Sequence, residues 1–204
     1  MKKLTSVVVL FGLLLVLMPG AVSAGEDFAV WCANYGLQWD GSTCTVGESD
    51  APAMPYSLHI DPGQTLEIFG TVHIAFGPEN YTVYNDGTIN VHEDGWLHIT
   101  PGRSIQNNGT INNSGLFDNY GTISNYGTID NTGELKNMWS STFDTTFENK
   151  GFVFNQHGHI LNTGTINNTR CPGEVGVITA GPTNLDNLGD GTIEYISGQE
   201  CTAE

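Results

Sequence analysis

Histidines and carboxylates are the residues of this chain best suited to chemistry. Six histidines, His59, His73, His92, His98, His157 and His159, could transfer protons or bind a metal. In an extended segment His157-Gly158-His159 turns two imidazoles to one side, and His73, His92 and His98 could form an outward column. Paired histidines on strands are commonly plain surface residues, so no metal or other cofactor is expected. A glycoside hydrolase needs two carboxylates facing one cleft, for which Asp118, Asp130, Glu134, Asp144 and Glu148 are the candidates. A lyase needs a base beside cations that neutralise a substrate carboxylate, and beyond Lys2 and Lys3 only Arg103, Lys136, Lys150 and Arg170 carry fixed positive charge. No nucleophile elbow, Ser-His-Asp signature or phosphate-binding loop occurs. No catalytic residue is assigned on this basis, and an enzyme is not expected.

A repeat must position these groups. Asparagine recurs every six residues at Asn107, Asn113, Asn119, Asn125, Asn131 and Asn137, returns at Asn149 and Asn155, and continues after one inserted residue at Asn162 and Asn168. An apolar series keeps step with it through Ile105, Ile111, Phe117, Ile123, Ile129, Leu135, Phe147, Val153, Ile160 and Ile166, broken only by Ser141. Glycine forms a third series, giving the unit Asn-x-Gly-x-φ-x, where φ is apolar. A period of six is a multiple of the strand period and not a helical one, so Ile123 and Asn125 face the same side. The apolar residue must be buried, and asparagine therefore points inward with it. Glycine then makes the corner, either through a positive φ or through close approach of another chain segment.

One unit buries a single large side chain and cannot fold alone, whereas stacked units pair strand upon strand and join the apolar residues into a column. The pattern predicts an all-β, single-stranded parallel β-helix with three units, about 18 residues, per turn in its central region. The units at Phe117, Leu135 and Val153 depart from Gly-Thr-Ile at 18-residue intervals, which would place them on one face. Asp118 would then stack on Lys136, and Asp130 on Glu148. Inward carboxamides, each with two donor hydrogens and an acceptor, can bond from turn to turn as a ladder and satisfy corner backbone groups. The upstream stretches LEIFGTVHI and TVYNDGTINVHEDGWLHIT alternate over longer spacings, so wider turns are expected there.

The N-terminus has Lys2 and Lys3, an apolar run from Val7 to Met18 and the small-residue site Val22-Ser23-Ala24, the pattern of a signal peptide over residues 1–24 cleaved after Ala24. Cys32, Cys44, Cys171 and Cys201 flank a cysteine-free middle. Three pairings are open on paper, and Cys32–Cys44 with Cys171–Cys201 is preferred because a rod between them would keep the ends apart. The expected organisation is an N-terminal disulfide-closed cap over 25–55, a solenoid over 56–198 and a C-terminal disulfide-closed segment over 171–204. Net charge is −16, becoming −18 without Lys2 and Lys3, which excludes nucleic acid as a partner. No integral membrane anchor is expected. Tyr120 and Tyr126, at corner positions, are candidates for stacking on glycans. The series Thr110/Asn112, Thr122/Ser124, Thr128/Asp130 and Thr165/Asn167 could form an outward hydroxyl array.

The Asn-x-Gly-Thr-Ile units from Ile105 to Asn168 resemble the repeats of parallel β-helix proteins found among secreted bacterial and archaeal surface proteins and adhesins. The resemblance implies a secreted, non-catalytic structural or adhesive component of the cell surface or extracellular matrix, with extracellular polysaccharide or other surface components as partners. Alternatives are a carbohydrate-active β-helix enzyme, a self-associating filament subunit and an ice-binding solenoid.

Overall fold

Alternation within each unit dictates the backbone. An extended tetrapeptide with apolar or carboxamide side chains at its second and fourth positions can bury only one face, and needs a neighbour on each edge. The computed structural model describes residues 26–54, 56–75, 81–138 and 145–150, and seven strands between residues 152 and 197. In it the units form four-residue strands such as Thr82–Asn85, Ser104–Asn107 and Thr122–Asn125, with second and fourth residues buried.

These strands stack in parallel into three sheets. The first runs through Leu58–Ile60, Thr82–Asn85, Ser104–Asn107, Thr122–Asn125, Thr146–Asn149 and Thr165–Cys171. The second runs through Thr43–Val46, Thr65–Ile68, Thr88–Val91, Thr110–Asn113, Thr128–Asn131, Phe152–Asn155 and Val177–Ala180. The third runs through Thr71–Ile74, Trp96–Ile99, Leu116–Asn119, Glu134–Asn137, His159–Asn162 and Leu185–Asn187. From Leu58 to Asn162 the chain visits the sheets in strict rotation, so the protein is a three-sided parallel β-solenoid.

The 18-residue turn holds between Ser104 and Asn137, where Asn107 pairs with Asn125, Asn113 with Asn131 and Asn119 with Asn137. Neighbouring turns are wider, as expected upstream. Ile60 pairs with Asn85, Asn85 with Asn107 and Asn125 with Asn149, steps of 25, 22 and 24 residues, so four turns average about 22. The six-residue phase is kept from Asn137 to Asn149 across the break at Ser141, and this conceals one of these wide steps. Two stacking expectations fail for this reason: Val153 pairs with Ile129 on the second sheet instead of following Leu135, and Glu148 pairs with Ser124 instead of Asp130. Asp118 does stand in register with Lys136.

Two kinds of corner, combined differently in each turn, produce the range of turn widths. Long corners such as Asp61-Pro62-Gly63-Gln64 and Thr100-Pro101-Gly102-Arg103 close with a backbone bond from the fourth residue to the first, at 2.9 and 3.1 Å, and hold Gly63 and Gly102 at φ of 88° and 74°. Tight corners have only two residues between strands, the x-Gly of the repeat. Their glycines are required by close approach and not by positive φ: a Cβ on Gly109 or Gly127 would lie 2.2 or 2.1 Å from the carbonyl oxygen of Gly87 or Gly109 in the preceding turn.

The residue entering each corner follows this division. Ile60, Val91 and Ile99 precede long corners and are buried, whereas Asn85, Asn107, Asn113, Asn119, Asn125, Asn131 and Asn149 precede tight ones and are equally buried. Ile68 before Phe69-Gly70 and Asn137, which is buried yet precedes the long connection to Thr146, are the exceptions. Beneath the N-terminal end, the helix Phe28–Asn34 places Phe28, Trp31 and Cys32 in the core, Cys32 is bonded to Cys44, and the Trp31 indole N–H donates to the Ala53 carbonyl at 3.1 Å. That closes the N-terminal end as expected. Cys201, and with it the C-terminal disulfide, lies outside the described residues, as does the segment 1–24.

Candidate functional site

Inside the coil the asparagines form directional ladders. Asn85 Nδ2 donates to Asn107 Oδ1, Asn107 to Asn125 and Asn125 to Asn149, at 2.7, 2.7 and 2.8 Å. Parallel ladders join Asn113 to Asn131 at 2.6 Å and Asn119 to Asn137 at 2.8 Å. The second hydrogen on Nδ2 serves the backbone, so that Asn85, Asn107, Asn113 and Asn119 donate at 3.0 to 3.1 Å to the carbonyls of Thr110, Thr128, Glu134 and Thr146. Each ladder begins where an apolar corner residue ends, above Ile60, Val91 or Ile99. The Oδ1 atoms of Asn85 and Asn113, the heads of two ladders, consequently have no partner, whereas the head Asn119 accepts from Gly121 N at 3.0 Å. Asn155, Asn162 and Asn168 lie in strands whose side chains are outside the described residues. The ladders consume the interior, so any recognition surface must be built from the outward first and third residues of each strand.

Those outward residues stack in register. On the second sheet Thr43, Thr65, Thr88, Thr110 and Thr128 form one column. Beside it Asn112 Nδ2 donates to Asn90 Oδ1, and Asn90 Nδ2 to Glu67 Oε1, both at 2.8 Å. Glu67 Oε2 also meets His92 Nε2 at 2.6 Å, and the His92 ring lies parallel to Phe69 at 3.8 Å. The first sheet carries Thr82, Ser104, Thr122 and Thr146. Expected as one array, Thr122 and Thr165 thus belong to the first sheet, and Thr110 and Thr128 to the second, because each six-residue unit advances the chain by one side of the triangle.

The third sheet is different in kind. His73 and His98 pair across adjacent turns with their Nδ1 atoms 3.2 Å apart. Trp96 lies parallel to His98 at 5.0 Å, His73 meets Trp96 edge-on at 5.7 Å, and His98 meets Tyr120 edge-on at 5.4 Å. The Trp96 indole N–H donates to Asp118 Oδ2 at 3.1 Å. Asp118 is 6 % exposed and its Oδ1 has no partner. Burial pushes its pKa up, against the opposing pull of Lys136 and of the Trp96 hydrogen bond. Lys136 stands in register with Asp118, yet its ammonium pairs with Glu134 at 3.1 Å. Burial, and then the neighbouring His73, push the His98 pKa down, which keeps that imidazole neutral.

This arrangement reassigns several residues. His92 sits at a corner with Glu67, so the three-histidine column reduces to His73 and His98, and no group of three metal-ligating side chains forms among the described residues. His157 lies outside those residues, and His159 pairs in register with Glu134. Asp130 and Glu148 stand on the second and first sheets, whereas Asp118 and Glu134 share the third; Asp144 lies outside the described residues. Tyr120 joins the aromatic cluster, whereas Tyr126, 46 % exposed, sits at another corner beneath the Lys150 ammonium at 5.2 Å. Trp96 was the residue that sequence reasoning missed. Its signal was the pair of i, i+2 patterns Thr71-x-His73 and Trp96-x-His98, hidden by their 25-residue separation.

The fold and its interior define a triangular β-solenoid held by asparagine ladders. No protein-family model matches the chain, and no curated protein and no solved structure matches it either.

Proposed function

We propose that the chain is exported and serves outside the cell as a non-catalytic structural or adhesive solenoid. The observation that carries this reading is the division of labour in the coil: carboxamides and apolar side chains occupy the inside, and the outside presents stacked columns of hydroxyl, carboxamide and aromatic groups. Such regular faces suit contact with an extended, repeating partner, and extracellular polysaccharide is the partner proposed. The Cys32–Cys44 disulfide supports export, since disulfides persist in oxidising compartments. The net charge of −16 favours uncharged partners over anionic ones.

The reading is tested by expressing the full chain with its N-terminus intact, determining the mass of the exported product, and incubating it with insoluble plant, algal and fungal wall polysaccharides. A product beginning at Gly25, retained on one or more polysaccharides without release of reducing ends, is the expected result. Retention by none removes the adhesive role. A second reading, glycoside hydrolysis, draws on the raised pKa of Asp118 and on Glu134 sharing its face. Released reducing ends that disappear in Asp118→Ala would establish it in place of the first.

A further inference from the structure

The third face carries a feature that stacking alone does not require. Asp118, 6 % exposed, lies beside aromatic rings with one carboxylate oxygen bonded to Trp96 and the other buried and bonded to nothing. Leaving a buried acceptor unpaired is unfavourable, and the cation in register with it bonds elsewhere. An apolar residue or asparagine would fit the outward third position of this strand at lower cost. A destabilising group of this kind among Trp96, His98, His73 and Tyr120 marks a site shaped for something other than stability.

We propose that the third face from Thr71 to Lys136 binds a neutral polysaccharide, with sugar rings stacking on Trp96 and Tyr120 and a sugar hydroxyl donating to Asp118 Oδ1. The inference rests on the adhesive reading above and names its site and ligand class. Trp96 and Tyr120 supply partly exposed rings, one from each of two adjacent turns. The Trp96 N–H is held by Asp118, which fixes the indole orientation, and the His73–His98 pair packs against the indole. Oδ1 is buried in the free protein, so its bond to the hydroxyl requires a side-chain movement on this face when the glycan binds. Successive turns repeat at about 4.8 Å, so an extended glycan can lie along the face and meet several of them.

Other ligand classes fit less well. A metal would have only the two imidazole nitrogens, with no third ligand among the described residues. A quaternary ammonium group needs rings that converge on a point, whereas these rings lie parallel or edge-on to one another. Anionic glycans meet a chain of net charge −16.

Affinity electrophoresis of the exported chain in gels containing soluble β-glucan, galactomannan, xylan or alginate tests the site, alongside thermal melting. At least one neutral polymer should retard the wild type, and alginate should not. Trp96→Ala and the milder Trp96→Phe should weaken binding about tenfold and about threefold, and Tyr56→Ala, exposed just before Leu58–Ile60 of the first sheet, should leave it unchanged. Asp118→Asn should weaken binding at least fivefold while raising the melting temperature, a combination that a merely structural aspartate would not give. Wild-type retention with unaltered binding by the Trp96 and Asp118 variants overturns the site and leaves the adhesive reading standing. Failure of the wild type to bind any polymer, soluble or insoluble, overturns both. Displacement by choline chloride, or joint loss of melting temperature and binding in Asp118→Asn, overturns the ligand class or the role of Asp118.

Discussion

Asparagine in this protein earns its place through both hydrogens of one amide. Asn107 uses one on Asn125 and the other on the Thr128 carbonyl, while its own oxygen accepts from Asn85. Asn107→Ile would therefore strand groups in three places, the Asn85 amide, Asn125 Oδ1 and the Thr128 carbonyl. At about 1–3 kcal/mol for each buried group left unpaired, partly relieved by relaxation, a loss of about 2–5 kcal/mol is expected in urea unfolding. Asn85→Ile should cost less, because the head oxygen is already without a partner and the residue above it is Ile60. Equal losses in the two variants would contradict the directional ladder. Asp118 gives a pH signature. Its folded pKa is raised above 3.8, so the stability associated with its protonated form is complete below that value and is lost as pH rises through the folded pKa. The melting-temperature advantage of Asp118→Asn should therefore be greatest near neutral pH and shrink toward pH 3. His98 has the opposite sense, its folded pKa lying below 6.5, so its contribution is complete above 6.5 and is lost as pH falls through the folded pKa. His98→Phe should flatten the acid side of the melting profile.

At the scale of the strand and its corner, the backbone of one turn limits the next. The amides of Tyr126 and Gly127 both donate to the Asn107 carbonyl, at 2.7 and 2.9 Å, which draws the corner against the preceding turn. A methyl on Gly127 would enter the space of the Gly109 carbonyl, and the rigid partner cannot yield as a flexible side chain would. Gly127→Ala is expected to cost about 3 kcal/mol, the upper part of the usual range for overpacking. Gly63→Ala should also destabilise, by a different route, since nothing lies within 4 Å of its Cβ position and only its φ of 88° is incompatible. Urea unfolding of both variants checks the distinction when combined with a D-alanine replacement at position 63 by chemical synthesis, which should restore stability there. Long and short corners also explain why the repeat was legible in one region and obscured in another. Between Ser104 and Asn137 every corner is an x-Gly pair and the period is unbroken, while Pro-Gly corners upstream shift the count from turn to turn.

Over the whole molecule, stability passes from turn to turn through nearest neighbours, and the exposed ends are the vulnerable places. The N-terminal end is closed by Phe28 and Trp31 and tied by Cys32–Cys44. Replacing both cysteines by serine should lower stability by about 2–5 kcal/mol and uncover strand edges that favour concentration-dependent association. Denaturant unfolding and light scattering over a concentration series measure the two effects. An unchanged midpoint with no association would show that the aromatic plug suffices without the disulfide.

The sequence alone determined the parallel solenoid, the inward course of the asparagines and the 18-residue turn from Ser104 to Asn137, because those follow from strand alternation and a short local period. Cys32–Cys44 was legible in the same way, from the expectation of separated ends. Tertiary structure decided which units become neighbours. Register depends on accumulated corner length, so the shift after Asn137 moved Glu148 away from Asp130 and Val153 away from Leu135. It also decided the reason for the glycines, since close approach to the Gly109 carbonyl exists only once two turns are stacked. The grouping of His73, Trp96, His98, Asp118 and Tyr120 has the same origin. No local period links residues 20 to 25 positions apart across unequal corners, and only the stacked coil brings them onto one face.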